Sequence, residues 1–150
     1  MSLTVLLDSG PLGMISNPGL NPENEACRDW MATLIRAGAT VVIPEIADYE
    51  VRRELLRSRK DRGIARLDGL GRMIGIAPIT RSTMLRAASY WASARQSGKP
   101  TANDSALDGD VILAAQAQEL AVSGLHVVVA TTNLRHLSRF APAMHWRDIH

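Results

Sequence analysis

The fold is decided by the opening run Thr4-Val5-Leu6-Leu7-Asp8-Ser9-Gly10, in which an apolar segment ends in a carboxylate. A short, branched apolar run of this kind is typical of a strand buried on both faces of a parallel sheet. A carboxylate at the end of such a strand has to be solvated, hydrogen-bonded or bound to a metal, because burying an unpaired charge is costly. Asp8 is therefore either the cap of a following turn, for which Ser9-Gly10-Pro11 is suitable, or part of a site.

Further apolar runs alternate with amphipathic blocks along the chain. Residues 41–43 and 127–129 have the character of the first run, residues 74–79 form a weaker strand candidate, and residues 144–149 are a candidate edge strand. A regular succession of strand and helix predicts an α/β fold. We expect a three-layer α/β/α sandwich with a mainly parallel central sheet.

Apolar residues recur at helical spacing in four blocks. The first block stops at Gly38, and the second is a long block that we expect to be interrupted near Gly63. The third block precedes Gly98, and the fourth covers residues 108–122. Each block is long enough to cover one face of the predicted sheet.

The composition fits one globular domain covering residues 1–150. The chain is 46% hydrophobic and 21% charged, and its length allows most of the apolar surface to be buried. No apolar run approaches the roughly 20 residues that span a bilayer, and the amino terminus lacks the features of a signal peptide. The single cysteine, Cys27, excludes an internal disulfide. We expect a cytoplasmic protein without membrane segments.

Oxygen-bearing side chains lie at strand ends and helix starts. Asp8 ends the first apolar run, Glu50 opens a helix after the second, Asp110 begins a helix of small residues, and Thr131 and Asn133 close the last run. In an open parallel sheet such positions meet at one edge, where α/β proteins bind ligands. Carboxylates that are forced together repel one another, and a divalent cation relieves that repulsion. Ligands that are all oxygen atoms favour Mg²⁺ or Mn²⁺.

This ordered set resembles the PIN domain, a family of metal-dependent ribonucleases, over nearly the whole chain. Leu6-Leu7-Asp8-Ser9 is similar to the first strand of the family. Glu50 lies six residues beyond Pro44, where the family commonly has Ser or Thr, and it precedes Val51 as the helix glutamate of the family does. The run from Asp110 to Ala115 matches the family's Asp, two residues, an apolar residue and two alanines. Thr131-Thr132-Asn133 is similar to its last motif, which is usually Thr-x-Asp. The greatest similarity is to the toxin-like PIN proteins known as VapC.

The resemblance implies hydrolysis of phosphodiester bonds in RNA with Mg²⁺ or Mn²⁺ as cofactor. It implies that Asp8, Glu50 and Asp110 bind the metal and that Asn133 completes the catalytic set. It also implies a toxin whose antitoxin, a separate protein, blocks the acidic pocket, and a pairing of two toxin chains. Supporting roles are expected for Ser9, Thr131 and Asp108.

Ordinary structural roles compete with these assignments. Asp110 would complement a helix dipole, and only the family spacing selects Glu50 over the other acidic residues of its helix. Asp108 and Asp104 are either a fourth acidic group or turn and capping residues. Asn133 departs from the usual Asp of the family, since an amide oxygen binds a cation without contributing charge.

Two alternative functions are compatible with the same residues. The first is a PIN module with weak or no catalysis that binds RNA or a protein partner. The second is another acidic α/β protein, such as a phosphatase or a receiver domain. The second is disfavoured because Asp8 has no nearby second Asp of the phosphatase kind and no receiver-like lysine follows Thr131-Thr132.

Arginines are concentrated in the stretch that follows Glu50. Guanidinium groups suit phosphates, and such contacts give salt-sensitive binding with weak sequence preference. The formal net charge of only +2 does not prove nucleic-acid binding. Local ion pairs on a solvated helix, or an acidic partner peptide, would explain the same residues. The candidate RNA-binding residues are Arg52, Arg53 and Arg57.

Overall fold

A parallel sheet of five strands is the centre of the structure, a computed structural model that describes residues 2–98 and 104–150. The side chains of residues 104, 105, 135 and 136 lie outside this description. The strand order is β3-β2-β1-β4-β5, and every pairing is parallel. The predicted mainly parallel sheet is therefore confirmed. The strands are β1 (Leu3–Leu7), β2 (Thr40–Pro44), β3 (Ile76–Ala77), β4 (His126–Thr131) and β5 (Ala143–His145).

Helices cover both faces of this sheet. The side chains of β1 alternate, so that Val5 and Leu7 pack towards α1, α2 and α4, while Leu6 packs towards α6. Helix α5 lies against α6 through small and apolar residues. The arrangement is the three-layer α/β/α sandwich that the sequence predicts. The helices are α1 (Ser9–Ser16), α2 (Pro22–Arg36), α3 (Glu45–Arg57), α4 (Asp61–Ile74), α5 (Arg81–Gln96), α6 (Asp104–Val122) and α7 (Leu134–Leu137).

The interpretation of Ser9-Gly10-Pro11 as a turn is wrong, because helix α1 begins at Ser9. The side chain of Asp8 caps this helix by accepting a hydrogen bond from the Ser9 N–H group. Pro11 lies in the first turn of the helix, where a missing N–H group leaves no hydrogen bond unmade. In the sequence, the capping residue Asp8 and the proline three positions later already indicate a helix start.

The long helical block is two helices, and the break lies at residues 58–60 rather than at Gly63. Gly63 is inside α4, where a Cβ atom would lie 2.8 Å from the side chain of Leu55 on α3. This glycine therefore allows close packing of two helices instead of interrupting one. The break itself is made by Arg59, whose φ angle is 54°.

Two helices near the predicted site begin earlier in the structure than the sequence predicts. Helix α3 begins at Glu45 and α6 begins at Asp104, so Glu50 and Asp110 lie inside their helices instead of opening them. The predicted stop at Gly38 is confirmed, with a φ angle of 97°. The predicted short strand within residues 74–79 is confirmed as β3.

The last segment of the chain is only partly a strand. The predicted edge strand at residues 144–149 is limited to β5, after which Trp146–Asp148 forms a 3₁₀ turn. Trp146 is buried edge-on against Trp30, with ring centroids 5.6 Å apart. Burial of this large ring favours the turn over a longer strand. Within residues 2–98 and 104–150, no helix has the length and apolar character needed to cross a membrane.

Candidate functional site

Asp8 is held at the end of β1 by hydrogen bonds to both of its carboxylate oxygens. One oxygen accepts from the Ser9 N–H group at 2.7 Å, and the other accepts from the hydroxyl of Thr131 at 2.7 Å. Thr131 is fully buried at the end of β4, and its hydroxyl oxygen accepts the backbone N–H of Asn133 at 2.9 Å. The ends of the two central strands are thereby joined through one carboxylate. The supporting positions predicted for Ser9 and Thr131 lie next to Asp8.

Burial raises the pKa of the Asp8 carboxyl above its ordinary value of 3.8. The hydrogen bonds from Thr131 and Ser9 lower the same pKa and partly offset this effect. The charged form of Asp8 is thus supported by fixed donors but is poorly solvated. A cation near its oxygens would favour the charged form further.

Glu50 lies on α3 and faces the same edge of the sheet. Its pKa is raised from 4.5 to about 7, first by burial and then by the negative charge of Asp8. Asp110 on α6 also raises this pKa, while the guanidinium of Arg53 lowers it. Asp8, at the end of β1, and Asp110, on α6, therefore both affect the ionisation of Glu50 on α3.

Two glycines allow backbone to approach this edge closely. A Cβ atom on Gly109 would lie 2.8 Å from a carboxylate oxygen of Glu50, so the turn of α6 that precedes Asp110 packs directly against Glu50. A Cβ atom on Gly10 would lie 2.5 Å from the hydroxyl of Thr132. Glycine at these two positions sets how tightly α6 meets α3 and how tightly α1 meets the end of β4.

The three carboxylates reach one edge but do not form a finished metal site. Among residues 2–98 and 104–150, no group of three His, Cys, Asp or Glu side chains has a metal-binding arrangement. The expectation that Asp8, Glu50 and Asp110 share one cation stays a prediction. Their oxygen donors nevertheless fit Mg²⁺ or Mn²⁺ in chemical type.

The remaining acidic candidates differ in position. Asp108 is exposed and lies within helix α6, so its interpretation as a turn residue is wrong. The side chain of Asp104 is outside the part of the chain that the structure describes. Asn133 is exposed just beyond the end of β4. A fourth acidic ligand and a role for the Asn133 amide stay predictions.

The three arginines predicted to bind RNA have different surroundings. Arg52 bridges Asp48 and Asp68 at 3.0 and 2.7 Å. Arg57 pairs with a single acidic neighbour, Glu54, at 2.8 Å. Local ion pairs therefore account for these two arginines. Arg53 instead places its guanidinium 5.1 Å from the centre of the neighbouring Tyr49 ring, on the same side of α3 as the acidic edge.

Gln116 was missed by the sequence analysis, although it connects the helices that bear Glu50 and Asp110. Its side chain is 2% exposed. The carbonyl oxygen accepts the N–H of Ile46 at 3.2 Å, and the amide donates to the carbonyl of Ala77 at 2.7 Å. The first turn of α3, helix α6 and strand β3 are thereby fixed to one another. A single polar residue in an otherwise small and apolar helical run was the available signal.

A groove of about 750 Å³ opens beside Glu50. Its walls are helix α1, the loop that follows α1, the exposed side of α3 and the turn between α3 and α4. This volume is in the range of roughly 300–1,000 Å³ that is usual for ligand pockets. The acidic edge therefore continues into a surface that is large enough to receive part of a ligand.

Comparisons with known proteins give structural neighbours only. No protein-family model matches the chain, and no curated protein is similar to it in sequence. VapBC2 from Rickettsia felis, solved bound to a DNA fragment from its promoter, superposes with a TM-score of 0.70 at 14% identity, covering 95% of this chain and 98% of the other. VapBC-1 from nontypeable Haemophilus influenzae gives a TM-score of 0.69 at 15% identity, with coverages of 97% and 99%. FitAcB from Neisseria gonorrhoeae gives 0.62 at 20% identity, with coverages of 97% and 99%.

Similarity over the full length of both chains defines the class of fold. The chain has the PIN-like α/β/α architecture that the resemblance predicted, and this prediction is confirmed. The neighbours are VapBC and FitAcB structures, as the similarity to VapC implied. At identities of 14–20% the structural similarity establishes the fold alone, and any activity has to be inferred from the residues of this chain.

The raised pKa of Glu50 predicts a pH-dependent effect of Glu50→Gln on stability. Below its ordinary pKa the group is neutral in both folded and unfolded chains, whereas above about 7 the folded chain contains a poorly tolerated charge. The variant should therefore be more stable than wild type near about pH 8.5 and should have lost most of this advantage near about pH 5, close to the ordinary pKa of 4.5. Because Glu50 is partly open to solvent, we expect a gain of only about 1 kcal/mol, or roughly 2–4 °C in Tm.

Thermal melts in EDTA at the two pH values measure this effect. Glu54→Gln is the matched control, because Glu54 lies one turn further along α3 and its pKa is lowered by the hydrogen bond from Arg57. The control should be neutral or slightly destabilising at the higher pH. A gain for Glu50→Gln that is the same at both pH values would show that charge repulsion is not its cause.

Replacement of Gln116 by leucine should destabilise the fold, because it leaves the buried N–H group of Ile46 and the half-buried carbonyl of Ala77 without their partner. We expect a loss of about 2–4 kcal/mol in the free energy of unfolding, measured by denaturant titration. Gln118→Leu makes the same change on the same helix at a half-buried position and should cost no more than about 0.5 kcal/mol. Equal losses for both variants would remove Gln116 from its proposed connecting role.

Proposed function

We propose that the chain is a metal-dependent endoribonuclease of the PIN type and the toxin of a toxin–antitoxin pair. The observation that supports this most directly is the proximity of Asp8 and Asp110 to Glu50, whose pKa is raised to about 7 by burial first and then by these two negative charges. Perturbed carboxylates beside a groove are typical of functional sites. Asp8 follows β1 at the carboxyl edge of the parallel sheet, which is where α/β proteins bind ligands.

The residues of the site have separate roles in this proposal. Asp8, Glu50 and Asp110 would hold Mg²⁺ or Mn²⁺, which when bound supplies an acidified water and stabilises the leaving oxygen of a phosphodiester. Thr131 orients Asp8 through its hydroxyl, as the Ser9 N–H group does from the other side. Asn133 adds an uncharged oxygen donor at the end of β4.

The partner proposal rests on the structural neighbours. VapBC from Salmonella typhimurium was solved bound to DNA, as was VapBC2 from Rickettsia felis. We infer that this chain likewise associates with a protein partner, an antitoxin that covers the acidic edge and blocks access of RNA to it. A pair of toxin chains is part of the same proposal.

A second candidate function is an RNA- or protein-binding PIN module with little or no catalysis. Two observations favour it. Asn133 replaces a carboxylate at the last motif, and the described carboxylates do not already form a metal-binding group. Such a module would keep the fold and the groove while lacking turnover.

A cleavage assay on a panel of structured RNAs separates the two candidates. We expect wild type to cleave in Mg²⁺ or Mn²⁺, and Asp8→Asn to lose activity by about a hundredfold or more while staying folded, because a metal ligand is lost. Asp29→Asn, a surface change on α2, is the control and should leave the rate unchanged. Absence of metal-dependent cleavage by wild type would support the binding module, and full activity of Asp8→Asn would exclude Asp8 as a ligand.

The missing charge at Asn133 predicts weak metal affinity. Wild-type cleavage should require a high metal concentration and favour Mn²⁺ over Mg²⁺, because Mn²⁺ binds oxygen and nitrogen ligands more tightly. Asn133→Asp should lower the metal concentration for half-maximal rate by roughly tenfold, since one added carboxylate attracts the cation in a partly dehydrated site. RNA affinity in EDTA serves as the control and should be little changed. If the midpoint does not move, Asp108 or Asp104 becomes the better fourth ligand.

A further inference from the structure

The charged side chains that line the groove beside Glu50 include both signs. They are the carboxylates of Glu50, Glu54 and Asp61 and the cations of Arg53, Arg59, Lys60 and Arg62. Three of these cations lie within residues 59–62, between α3 and the first turn of α4, a segment called the basic turn, and Asp61 lies among them. Among the described residues that line the groove, Arg53 is the one cation on the helix that bears Glu50.

The spacing of Arg53 and Glu50 makes them neighbours on α3. Side chains three residues apart on a helix lie on the same face, and opposite charges at this spacing attract each other. Glu50 is half-buried, whereas Arg53 is exposed, and both border the same groove. The guanidinium of Arg53 is therefore the cation closest along the chain to the acidic edge, which is formed by Asp8, Glu50 and Asp110.

Arg53 differs from the other two arginines of α3 in having no local acidic partner. Arg52 is bonded to Asp48 and Asp68, and Arg57 is bonded to Glu54. Within the described part of the chain, no carboxylate lies within salt-bridge distance of Arg53. Its guanidinium is instead 5.1 Å from the centre of the Tyr49 ring. An aromatic ring holds a cation in place without neutralising it, so the charge of Arg53 remains available to the acidic edge.

The charge of Arg53 has opposite effects on the metal-free and the metal-bound acidic edge. It favours the ionised form of Glu50 by lowering the pKa of that group, against burial and the charges of Asp8 and Asp110, which raise it. The same positive charge repels any second cation that approaches these carboxylate oxygens. A residue that stabilises the empty site in this way necessarily weakens the binding of a metal to it.

We propose that Arg53 is the counter-charge of the acidic edge in the metal-free protein and that it thereby weakens the binding of a divalent cation there. The second part rests on the proposed function. In this role Arg53 acts through the carboxylates, and it adds to the effect of the missing charge at Asn133. The chain can then fold with its carboxylates ionised and without a permanently bound metal.

Thermal melts in EDTA at about pH 8.5, where Glu50 is ionised, test the first part of the proposal. Arg53→Gln should lower Tm by roughly 1–3 °C, a small shift because Arg53 is exposed. In a Glu50→Gln background the same substitution should lower Tm by less than half as much, because its main partner is gone. Arg53→Lys retains the charge and should restore the wild-type Tm.

Titration of Tm with Mg²⁺ alone, at the same pH and at constant ionic strength, tests the second part. Arg53→Gln should bind Mg²⁺ about three- to tenfold more tightly, so the same rise in Tm should occur at a correspondingly lower concentration. Loss of a purely structural contact would lower Tm in EDTA without tightening Mg²⁺ binding. Arg36→Gln removes an exposed charge of α2 outside the groove and should leave both measurements unchanged.

Equal Mg²⁺ affinities of wild type and Arg53→Gln would overturn the proposal, as would equal Tm values in EDTA or effects of the same size in Arg36→Gln. Cleavage of RNA by wild type, with an unchanged Mg²⁺ affinity in Arg53→Gln, would retain the nuclease and reject the role of Arg53. A wild type that neither binds Mg²⁺ nor cleaves RNA would reject the nuclease. A lower Tm of Arg53→Gln in EDTA, restored by Arg53→Lys, would in that case still retain Arg53 as the counter-charge.

Discussion

The hydrogen bond between the Thr131 hydroxyl and the Asp8 carboxylate is the interaction on which the site depends. It joins the ends of the two central strands, whose parallel register places residues 3–7 beside residues 126–130. The same carboxylate caps α1, so the direction of that helix and of one wall of the groove follows from it. Loss of this contact would alter the sheet edge, the helix start and the acidic group together.

Near this contact, charged carboxylates destabilise the fold and the hydrogen bonds of Gln116 stabilise it. Burial makes the charged form of Asp8 unfavourable, and burial together with the charge of Asp8 does the same for Glu50, which destabilises the fold near neutral pH. Gln116 offsets part of this cost by holding α3, α6 and β3 together with buried hydrogen bonds. Sites that tolerate such repulsion commonly do so because a ligand relieves it.

The sequence was informative wherever one residue type has one dominant physical reason for its position. Branched apolar runs predicted the central strands, and Asp8 was recognised because a charge rarely ends a buried strand without a purpose. It was less informative where the outcome depends on contacts between distant segments. The role of Gln116 depends on groups 70 and 39 residues away, and the pairing of Arg52 with Asp68 depends on how α4 folds back on α3.

Charges of both signs line the groove, which limits the ligands that can fill it. They are the carboxylates of Glu50, Glu54 and Asp61 and the cations of Arg53, Arg59, Lys60 and Arg62. The acidic edge is stabilised by a cation, whereas the basic turn is stabilised by an anion. A peptide of one charge would satisfy one side and leave the other unpaired. A ligand that carries charges of both signs therefore suits the groove better than one that carries a single sign.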